Sequence, residues 1–534
     1  MRRRRFSNWR KTATSVSIPA RSCAPCSRRP VSGMSKRLHH WESPRRRLSQ
    51  RVSPLPTRRN PGAGVSELPA QLSEALRGWG DNPVAIELFS SGETVPVGAS
   101  ELRRRVREMI AALSREGVRR DDIVALFLEN SIDYVTLILA LLEMRAVPLF
   151  AKLEYRRTEL STLFRDLDPD AVIIESSYLH VIEPHLSGQG VIIREVASAG
   201  KSTLRPVVPV ERHHAEAGFA DLATSINCTY RGDGELLGSI ATEAQYRLGA
   251  KVLQDGLQGC RGESMLFPLP LSHIFSLVGC LFVPLFQGMT GILARTVHPR
   301  LIFGALETLH VEHVTAVPEI YRLLLRSGKD TQRFPALRTF VSGGSVLHAR
   351  EYDELTEAFS LEVLHGYGLT EFTPVSRNSR GDARRGTIGP VCEGVDVRID
   401  NPDSTGSGEI LLRSDALCAG YYNRPQVTRR AFRDGWFHTG DRGRFRETHL
   451  VFEGEIKETR KVNGVMVDLQ EVRRAVLAAS TAEDATVFLE GNAITALLKI
   501  PESVDIDKEE KRLRHVLVHQ IAPYKVPRRI ARID

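Results

Sequence analysis

The chain has 534 residues, 42% of them hydrophobic, which predicts more than one domain with large buried cores. Its seven cysteines are scattered without framework spacing, which excludes a disulfide-stapled scaffold and favours a reducing compartment, so we predict a cytoplasmic protein. Cys23 and Cys26 form a C-x-x-C pair, but the following His39 and His40 are adjacent and cannot both reach one tetrahedral metal. We therefore predict no zinc site there.

The formal net charge of +9 is concentrated at one end of the chain. Residues 1–60 hold 15 Arg and 2 Lys against one acid, Glu42, whereas the remainder holds 56 basic and 63 acidic side chains. The body is therefore mildly acidic, and this split argues against nucleic-acid binding by the chain as a whole.

Residues 1–65 are rich in Arg, Ser and Pro and have no periodic apolar face. Such a segment cannot bury enough surface to offset its chain entropy, so we predict a disordered basic tail. Three alternatives stay open for it. It is an organelle transit peptide, a segment that binds anionic lipid or RNA, or sequence upstream of a true start near Val65.

Apolar runs that alternate with a helical pattern follow the tail. Ile123–Leu128 is predicted as a buried strand, and Ser131 as the cap of a helix that extends through Leu142. Strands alternating with helices predict an α/β fold with parallel sheets. Further strands are predicted at Ala146–Phe150, Ala171–Ile174 and Val191–Ile193.

Two stretches in the middle of the chain have an unusual composition. Thr229–Gly238 is a glycine-rich turn, and glycines allow backbone N–H groups to surround a phosphate, although plain loops also have this composition. Ile274–Ala294 carries no charge and is long enough for a membrane helix. Pro284 and three glycines interrupt this run, so we predict a buried core segment and no transmembrane segment.

Residues 364–371 read Leu-His-Gly-Tyr-Gly-Leu-Thr-Glu and follow a strand-like run that begins at Leu361. We predict a tight loop here, because Gly366 and Gly368 break the strand pattern. An aromatic ring suits a base, the hydroxyl of Thr370 suits a phosphate, and the carboxylate of Glu371 suits Mg²⁺. Ligands collect at the carboxyl ends of parallel strands, but the octet alone is also typical of an ordinary turn with a solvated Glu.

The sequence Tyr-Gly-Leu-Thr-Glu at 367–371 resembles the nucleotide-binding signature of the adenylate-forming superfamily, which includes acyl-CoA synthetases, peptide-synthetase adenylation domains and luciferases. Gly435–Asp441 reads Gly-Trp-Phe-His-Thr-Gly-Asp and is similar to a second block of that family. Matching segments keep the family's order from about Asp122 to Pro527, most of the chain. The resemblance implies an α/β fold, with a large multi-subdomain N-terminal body over residues 66–452 and a small, mobile, incomplete α+β C-terminal domain over residues 453–534.

The resemblance also implies a role for each matching residue. Tyr367 would stack on adenine beside Gly368, Thr370 would hold a phosphate, and Glu371 would hold Mg²⁺. His273, in the segment Leu-Pro-Leu-Ser-His-Ile-Phe, would line the acyl pocket, although a lone His on an apolar face is usually a satisfied core residue. The remaining matches are the hinge lysine Lys457, the second lysine Lys461, the ribose-binding Asp441, the phosphate-loop residues Thr229, Gly232, Gly234 and Gly238, and the adenine-facing Gly343 and Gly344.

The family resemblance implies ATP, Mg²⁺ and CoA or phosphopantetheine as cofactors. The substrate would be a carboxylic acid, and the sequence around His273, which resembles that of fatty-acyl members of the family, indicates a fatty acid. The acid would be joined to AMP in one half-reaction and passed to the thiol of CoA or of an acyl carrier protein in the other. No nucleic-acid partner is expected for the body of the chain, and no transmembrane segment is expected.

The chain departs from the family pattern at several positions. Arg231 replaces a glycine of the phosphate loop, Leu237 replaces its lysine, and Glu455 stands where the family has an arginine. The chain ends at Asp534, before the position at which the family carries its catalytic lysine. An alternative function is therefore a degraded relative that binds only nucleotide or acyl-adenylate, or that performs only the thioester half-reaction. Arg231 is the candidate that would compensate for the lost cations, because a guanidinium can bind a phosphate bidentately.

Deleting residues 1–64 should leave folding and nucleotide binding intact, because the segment has no periodic apolar face to contribute. The melting temperature of the shortened protein and its affinity for AMP measure this. A melting temperature several degrees lower than that of the full chain would show that the tail packs on the body.

Overall fold

The computed structural model describes residues 67–533, apart from gaps at residues 81, 187, 197–201, 212, 214–217, 259–260, 296–297, 328–333 and 463. The predicted basic tail and its C-x-x-C pair lie outside the described residues. Among the residues inside those bounds, no three His, Cys, Asp or Glu side chains cluster as metal ligands.

Helices cover the faces of the sheets. The α-helices, in chain order, are α1 Leu68–Arg77, α2 Ala99–Arg115, α3 Ile132–Met144, α4 Arg157–Thr162, α5 Leu179–Ile182, α6 Phe219–Leu222, α7 Glu243–Leu257, α8 Ile274–Ser276, α9 Val283–Gln287, α10 Pro299–Thr308, α11 Pro318–Arg326, α12 Ala349–Phe359, α13 Pro425–Ala431, α14 Leu469–Ala479 and α15 Ile506–Gln520.

Within the described residues, the strands form five sheets. In chain order they are β1 Ala85–Leu88, β2 Thr94–Val97, β3 Ile123–Phe127, β4 Val147–Phe150, β5 Ala171–Glu175, β6 Gly190–Val196, β7 Ser202–Val208, β8 Ser225–Thr229, β9 Leu237–Ala241, β10 Ser264–Phe267, β11 Thr290–Ala294, β12 His313–Ala316, β13 Thr339–Ser342, β14 Glu362–Leu369, β15 Phe372–Arg377, β16 Asp396–Asp400, β17 Gly408–Arg413, β18 Phe432–Arg433, β19 Trp436–Arg446, β20 His449–Glu455, β21 Thr459–Val462, β22 Val465–Asp468, β23 Asp484–Glu490, β24 Ala493–Lys499 and β25 Arg529–Arg532.

Three sheets build a large N-terminal body. One has eight strands in the order β15-β14-β13-β12-β10-β11-β1-β2, parallel from β14 to β1 with antiparallel strands at both edges. A second has seven strands in the order β7-β6-β5-β3-β4-β8-β9, and the third has five antiparallel strands built around β17 and β19. A smaller C-terminal domain adds the β21–β22 hairpin and the sheet β23-β24-β25, on which α14 and α15 pack. This arrangement is the mixed α/β architecture that the sequence predicts.

The first βαβ unit shows why the local predictions succeed. Every residue of β3 is buried, as its continuous apolar run requires of a central parallel strand. The Ser131 side chain accepts a hydrogen bond from the Tyr134 N–H at 3.1 Å and so begins α3, which ends two residues after the predicted Leu142. The strands that follow, β4, β5 and β6, lie at the predicted positions within a few residues.

The strand β14 differs from the sequence prediction, because it continues through Tyr367 and Leu369 and turns only at Thr370 and Glu371 into antiparallel β15. The two glycines of the octet do not break the strand. A Cβ at Gly368 would lie 2.4 Å from the Thr373 side-chain oxygen, so glycine permits the close approach of the two strands. The predicted tight loop is therefore a β-hairpin.

The uncharged run from Ile274 to Ala294 folds as three short consecutive helical segments followed by β11, all in the core. Pro284 lies in the first turn of α9, where its missing N–H costs little. Within the described part of the chain, no helix has both the length and the apolar character needed to cross a bilayer.

Lys525 joins the C-terminal domain to the body. Its side chain is fully buried, its Nζ lies 2.7 Å from Glu159 Oε1 of α4, and it donates to the Tyr230 hydroxyl at 2.7 Å and to Glu471 of α14. Burial alone would lower the pKa of Lys525, but the charges of Glu159 and Glu471 raise it overall. The ammonium therefore neutralises two carboxylates that come from distant parts of the chain.

Lys525→Met should destabilise the fold by about 3–5 kcal/mol, because it leaves two buried carboxylates without their cation. The loss should shrink at about pH 5, where the unpaired carboxylates take up protons. Urea unfolding at both pH values measures it. The matched control is Lys508→Met, whose lysine side chain is 86% exposed and makes only a surface ion pair. An equal, small loss in both variants would contradict the structural role of Lys525.

Candidate functional site

A cavity of about 930 Å³, part of it open to solvent, lies where β8, β13, β14 and β15 of the body meet the β21–β22 hairpin of the C-terminal domain. Its wall includes α7 on one side and the chain around His273 on another. Ten of the residues assigned from the sequence line this single cavity: Thr229, His273, Gly343, Gly344, Tyr367, Gly368, Thr370, Glu371, Lys457 and Lys461.

Asp441 lies behind the wall, on β19, and holds Tyr367 in place. The Tyr367 hydroxyl donates to Asp441 Oδ2 at 2.6 Å, and both side chains are buried. The second carboxylate oxygen, Oδ1, forms no hydrogen bond with the described residues, although Lys457 Nζ lies 3.3 Å away. Burial, with the Asp441 charge as the next cause, raises the pKa of Tyr367, so its hydroxyl stays protonated and donates.

The three glycines assigned to the phosphate loop do not line the cavity. A Cβ at Gly232 would lie 3.0 Å from the Glu458 backbone nitrogen, and the Gly234 N–H donates to Asp468 Oδ2 at 2.8 Å. Gly238 lies within β9, where a Cβ would meet Ile226 at 2.7 Å. The loop therefore contacts the C-terminal domain in this structure, and its role in phosphate binding stays a prediction.

Arg231 also points away from the cavity wall. It donates to the His438 carbonyl oxygen at 2.7 Å, and its guanidinium lies 5.1 Å from the centre of the Phe437 ring. Burial opposes its charge, but Tyr421, Glu371 and the nearby Asp441 raise its pKa overall. The Tyr421 hydroxyl in turn donates to Glu371 Oε1, whereas Arg231 does not line the cavity.

Gly343 and Gly344 follow β13 directly and bring bare backbone to the cavity wall. A Cβ at Gly343 would lie 3.0 Å from the Phe275 ring. Gly344 has φ +79°, a conformation that favours glycine, and a Cβ there would lie 3.1 Å from Val317. Ser342, just before them, has a buried hydroxyl with no hydrogen-bond partner among the described residues.

His273 and the lysines of the C-terminal hairpin face the same space. Burial, followed by the charges of Lys152 and Lys461, lowers the pKa of His273 to about 3, so its imidazole is neutral. Burial likewise lowers the pKa of Lys461 and raises that of Glu455. The charge of Lys461 opposes the shift at Glu455, so the lysine partly offsets the carboxylate that replaces the family's arginine.

Sequence reasoning missed several wall residues. Thr373 and Arg377 lie four residues apart on β15 and both line the cavity, and the two-residue alternation of a strand puts them on one face, a signal that the sequence contained. Leu253 and Leu257 of α7 follow from helical spacing only once α7 is known to flank the cavity. Lys525 does not line the cavity; it lies in a segment that resembles the family, but its buried ion pairs could not be predicted because its partners lie far away in sequence.

His273 should stay neutral from about pH 8 to about pH 5, because burial disfavours its charged form. In a pH titration by NMR, the imidazole chemical shifts of His273 should remain constant over this range. A His273 signal that changes between these pH values would show that water and anions reach the ring freely.

Comparison with known proteins gives the family. Residues 72–219 and 240–422, more than half of the chain, match the sequence profile of the family described as AMP-binding enzyme. A malonate–CoA ligase of Arabidopsis thaliana is 26% identical over 428 residues, 72% of this chain and 70% of that protein. A long-chain-fatty-acid–CoA ligase of Haemophilus influenzae is 24% identical over 517 residues, 86% of this chain and 89% of that protein. The amide bond synthetase McbA of Marinactinospora thermotolerans shares the fold, with a TM-score of 0.74 and 21% identity over 87% of this chain and 95% of that one. The chain belongs to the family of AMP-binding enzymes.

Proposed function

We propose that the protein activates a carboxylic acid with ATP, through an acyl-adenylate, and transfers the acyl group to the thiol of CoA or of a carrier-protein phosphopantetheine. The observation that carries the proposal is the shared cavity, onto which the Thr370–Glu371 turn of the body and two lysines of the C-terminal domain both face. Two relatives named as CoA ligases, one for malonate and one for long-chain fatty acids, support an acid–thiol ligase.

The residues present fit ATP. The Ser342 hydroxyl and Asp441 Oδ1 are among the buried polar atoms that form no hydrogen bond with the described residues, although Lys457 Nζ lies 3.3 Å from Asp441 Oδ1. Hydroxyls of a bound nucleotide are the kind of group that would satisfy them. The backbone at Gly343 and Gly344 offers a close, flat approach beside Tyr367 for a base. Asp441 would then bind ribose with the oxygen that Tyr367 leaves unused.

Glu371 is the candidate for holding Mg²⁺. One of its oxygens accepts from Tyr421, and the described residues offer no cluster of three ligands. This fits Mg²⁺, which commonly binds one carboxylate and keeps water and phosphate oxygens as its other ligands. When bound there, the ion would neutralise phosphate charge; Glu371 itself would fix its position, because Tyr421 orients the carboxylate.

The chain's own groups can serve both half-reactions. In the first, an oxygen of the acid attacks the α-phosphorus and pyrophosphate leaves, while the Thr370 hydroxyl and the Lys457 and Lys461 ammonium groups stabilise negative charge on the phosphate oxygens. In the second, the thiol sulfur attacks the acyl carbonyl carbon and AMP leaves. Neutral His273 lines the acyl side of the cavity and adds no charge near the carbonyl.

The alternative is a relative with a weak first half-reaction, and specific observations favour it. Leu237, in place of the family's lysine, is buried in β9, and Arg231 is bound to His438 rather than directed at the cavity. A carboxylate at Glu455 lies close enough to affect Asp441 and Lys461. Two like charges about 4 Å apart near a surface, such as this carboxylate and a phosphate of the nucleotide, repel each other by about 4 kcal/mol. A repulsion of that size would slow adenylation by orders of magnitude.

Two assays run side by side distinguish these functions. Pyrophosphate exchange over short, long and aromatic acids reports adenylation, and thioester formation from synthetic acyl-adenylate reports transfer. Exchange with any acid, together with thioester formation, supports the complete ligase. Thioester formation without exchange supports the half-enzyme, and silence in both assays with intact ATP binding supports a binding-only relative. The loss of ATP binding as well would contradict the proposal.

The apolar side chains of the cavity wall bear on which acid the protein activates. The sequence around His273 predicts a fatty acid as substrate. The apolar side chains on the cavity wall support an alkyl portion in the substrate; they are Leu253, Leu257 and Ile274. Because one relative is named for malonate and another for long-chain fatty acids, the relatives do not fix the length of that portion. The cytoplasmic location and the carrier-protein partner stay predictions.

Glu371→Ala should weaken binding of Mg²⁺–ATP by about tenfold or more while leaving the affinity for AMP nearly unchanged, because the metal bridges phosphates that AMP lacks. Calorimetric titration with both ligands measures the difference. Glu357→Ala, on the exposed face of α12, is the matched control for a lost carboxylate. Equal losses for both nucleotides would contradict the assignment of Glu371 to the metal.

A further inference from the structure

Arg377 places a guanidinium at the wall of the cavity, away from the phosphate-binding groups. It is the last residue of β15 and pairs with Gly366 of β14, whereas Phe372, at the other end of β15, adjoins the turn with Thr370 and Glu371. At about 3.4 Å per residue, Arg377 lies on the order of 17 Å along the strand from Phe372. The cavity therefore has a cation at the end opposite Thr370.

The side chain of Arg377 is held rather than free. Its Nε donates to the Val252 carbonyl oxygen and its Nη1 to the Ser379 hydroxyl, both neutral acceptors. The guanidinium lies flat against α7 at Gly256, where a Cβ would come within 2.3 Å of Nη1. A glycine at this point of the helix is what allows the guanidinium to reach the wall.

The charge of Arg377 lacks a counterion. Within the described residues no carboxylate lies within ion-pair distance of it, and Nη2 donates no hydrogen bond. Burial lowers the pKa of Arg377, and the charge of Asp255, on α7, only partly opposes this. A half-buried guanidinium without a counterion carries a desolvation cost that a bound anion would offset.

The apolar wall around Arg377 shows what kind of molecule would bring that anion. Leu253 and Leu257 of α7 line the same part of the cavity, and Pro374 of β15 lines it from the sheet side. An acid whose reactive carboxylate lies near Thr370 would pass its alkyl portion between these side chains and present its far end to Arg377.

We infer that Arg377 binds a second anionic group on the acid, so that the substrate class is a dicarboxylic acid with an alkyl spacer rather than a simple fatty acid. This rests on the proposed function, because it assigns the acid to the same cavity. The guanidinium offers Nη2 as the donor and its charge as the attraction, while the methylenes of the spacer contact the leucines of α7. A simple alkyl chain would instead leave the charge of Arg377 unpaired.

Calorimetric binding of matched acids tests this, with succinate, adipate and suberate compared with butanoate, hexanoate and octanoate. In the natural protein at least one dicarboxylate should bind about tenfold or more tightly than the monocarboxylate of the same length. Arg377→Met should abolish that preference, Arg377→Lys should retain part of it, and Arg380→Met, outside the cavity wall, should leave it unchanged.

Monocarboxylates that bind as tightly as their dicarboxylate partners in the natural protein would overturn the inference, whether or not the variants fold. A preference that survives in folded Arg377→Met would also overturn it. ATP binding is titrated in the same preparations, because loss of ATP binding counts against the proposed function, whereas the ratio of acid affinities depends only on Arg377.

Discussion

The ion-pair cluster around Lys525 is the contact on which the site depends. It pairs a lysine near the C-terminus with Glu159 of the body and Glu471 of the C-terminal domain, and it hydrogen-bonds Tyr230, which lines the cavity. Burial raises the pKa of Glu471, and the charge of Lys525 opposes this, so the ion pair favours the charged form of the Glu471 carboxylate. By fixing the C-terminal domain against the body, the cluster positions the β21–β22 hairpin at the cavity and so brings lysine charges to face the Thr370–Glu371 turn.

The β14–β15 hairpin determines the rest of the cavity. One side of it carries Tyr367, braced from behind by Asp441, and the turn carries the hydroxyl and carboxylate that suit phosphate and Mg²⁺. The other side returns along the wall to Arg377, so the two ends of one hairpin suit the two ends of an activated acid. The hairpin is at the edge of a mostly parallel sheet, and its outer strand is antiparallel and extends away from the Thr370–Glu371 turn. Charge at both ends with apolar walls between them explains how one cavity could take a nucleotide and an acid together.

Much of this could be predicted from the sequence, because the information is local. Periodicity and capping predict the strand β3, the cap at Ser131 and the interrupted run after Ile274. The family resemblance assigned to one site the ten residues that line the cavity. What sequence reasoning missed depends on distant contacts. The octet folds as a hairpin because Gly368 allows Thr373 close approach. The glycines of Thr229–Gly238 lie against Glu458 and Asp468, residues that only the folded C-terminal domain brings near. Arg377 had a strand-alternation signal, but its lack of a counterion is a property of the folded cavity.

The central claim is that nucleotide and acid share this one cavity between the body and the C-terminal hairpin. A crystal structure of the protein with a stable acyl-adenylate analogue tests it most directly. We expect the base beside Tyr367 and Gly343, the ribose within reach of Asp441, the phosphate at Thr370, and the acyl portion directed along β15 toward Arg377. An analogue bound elsewhere, or bound here with its acyl portion directed away from β15, would contradict it.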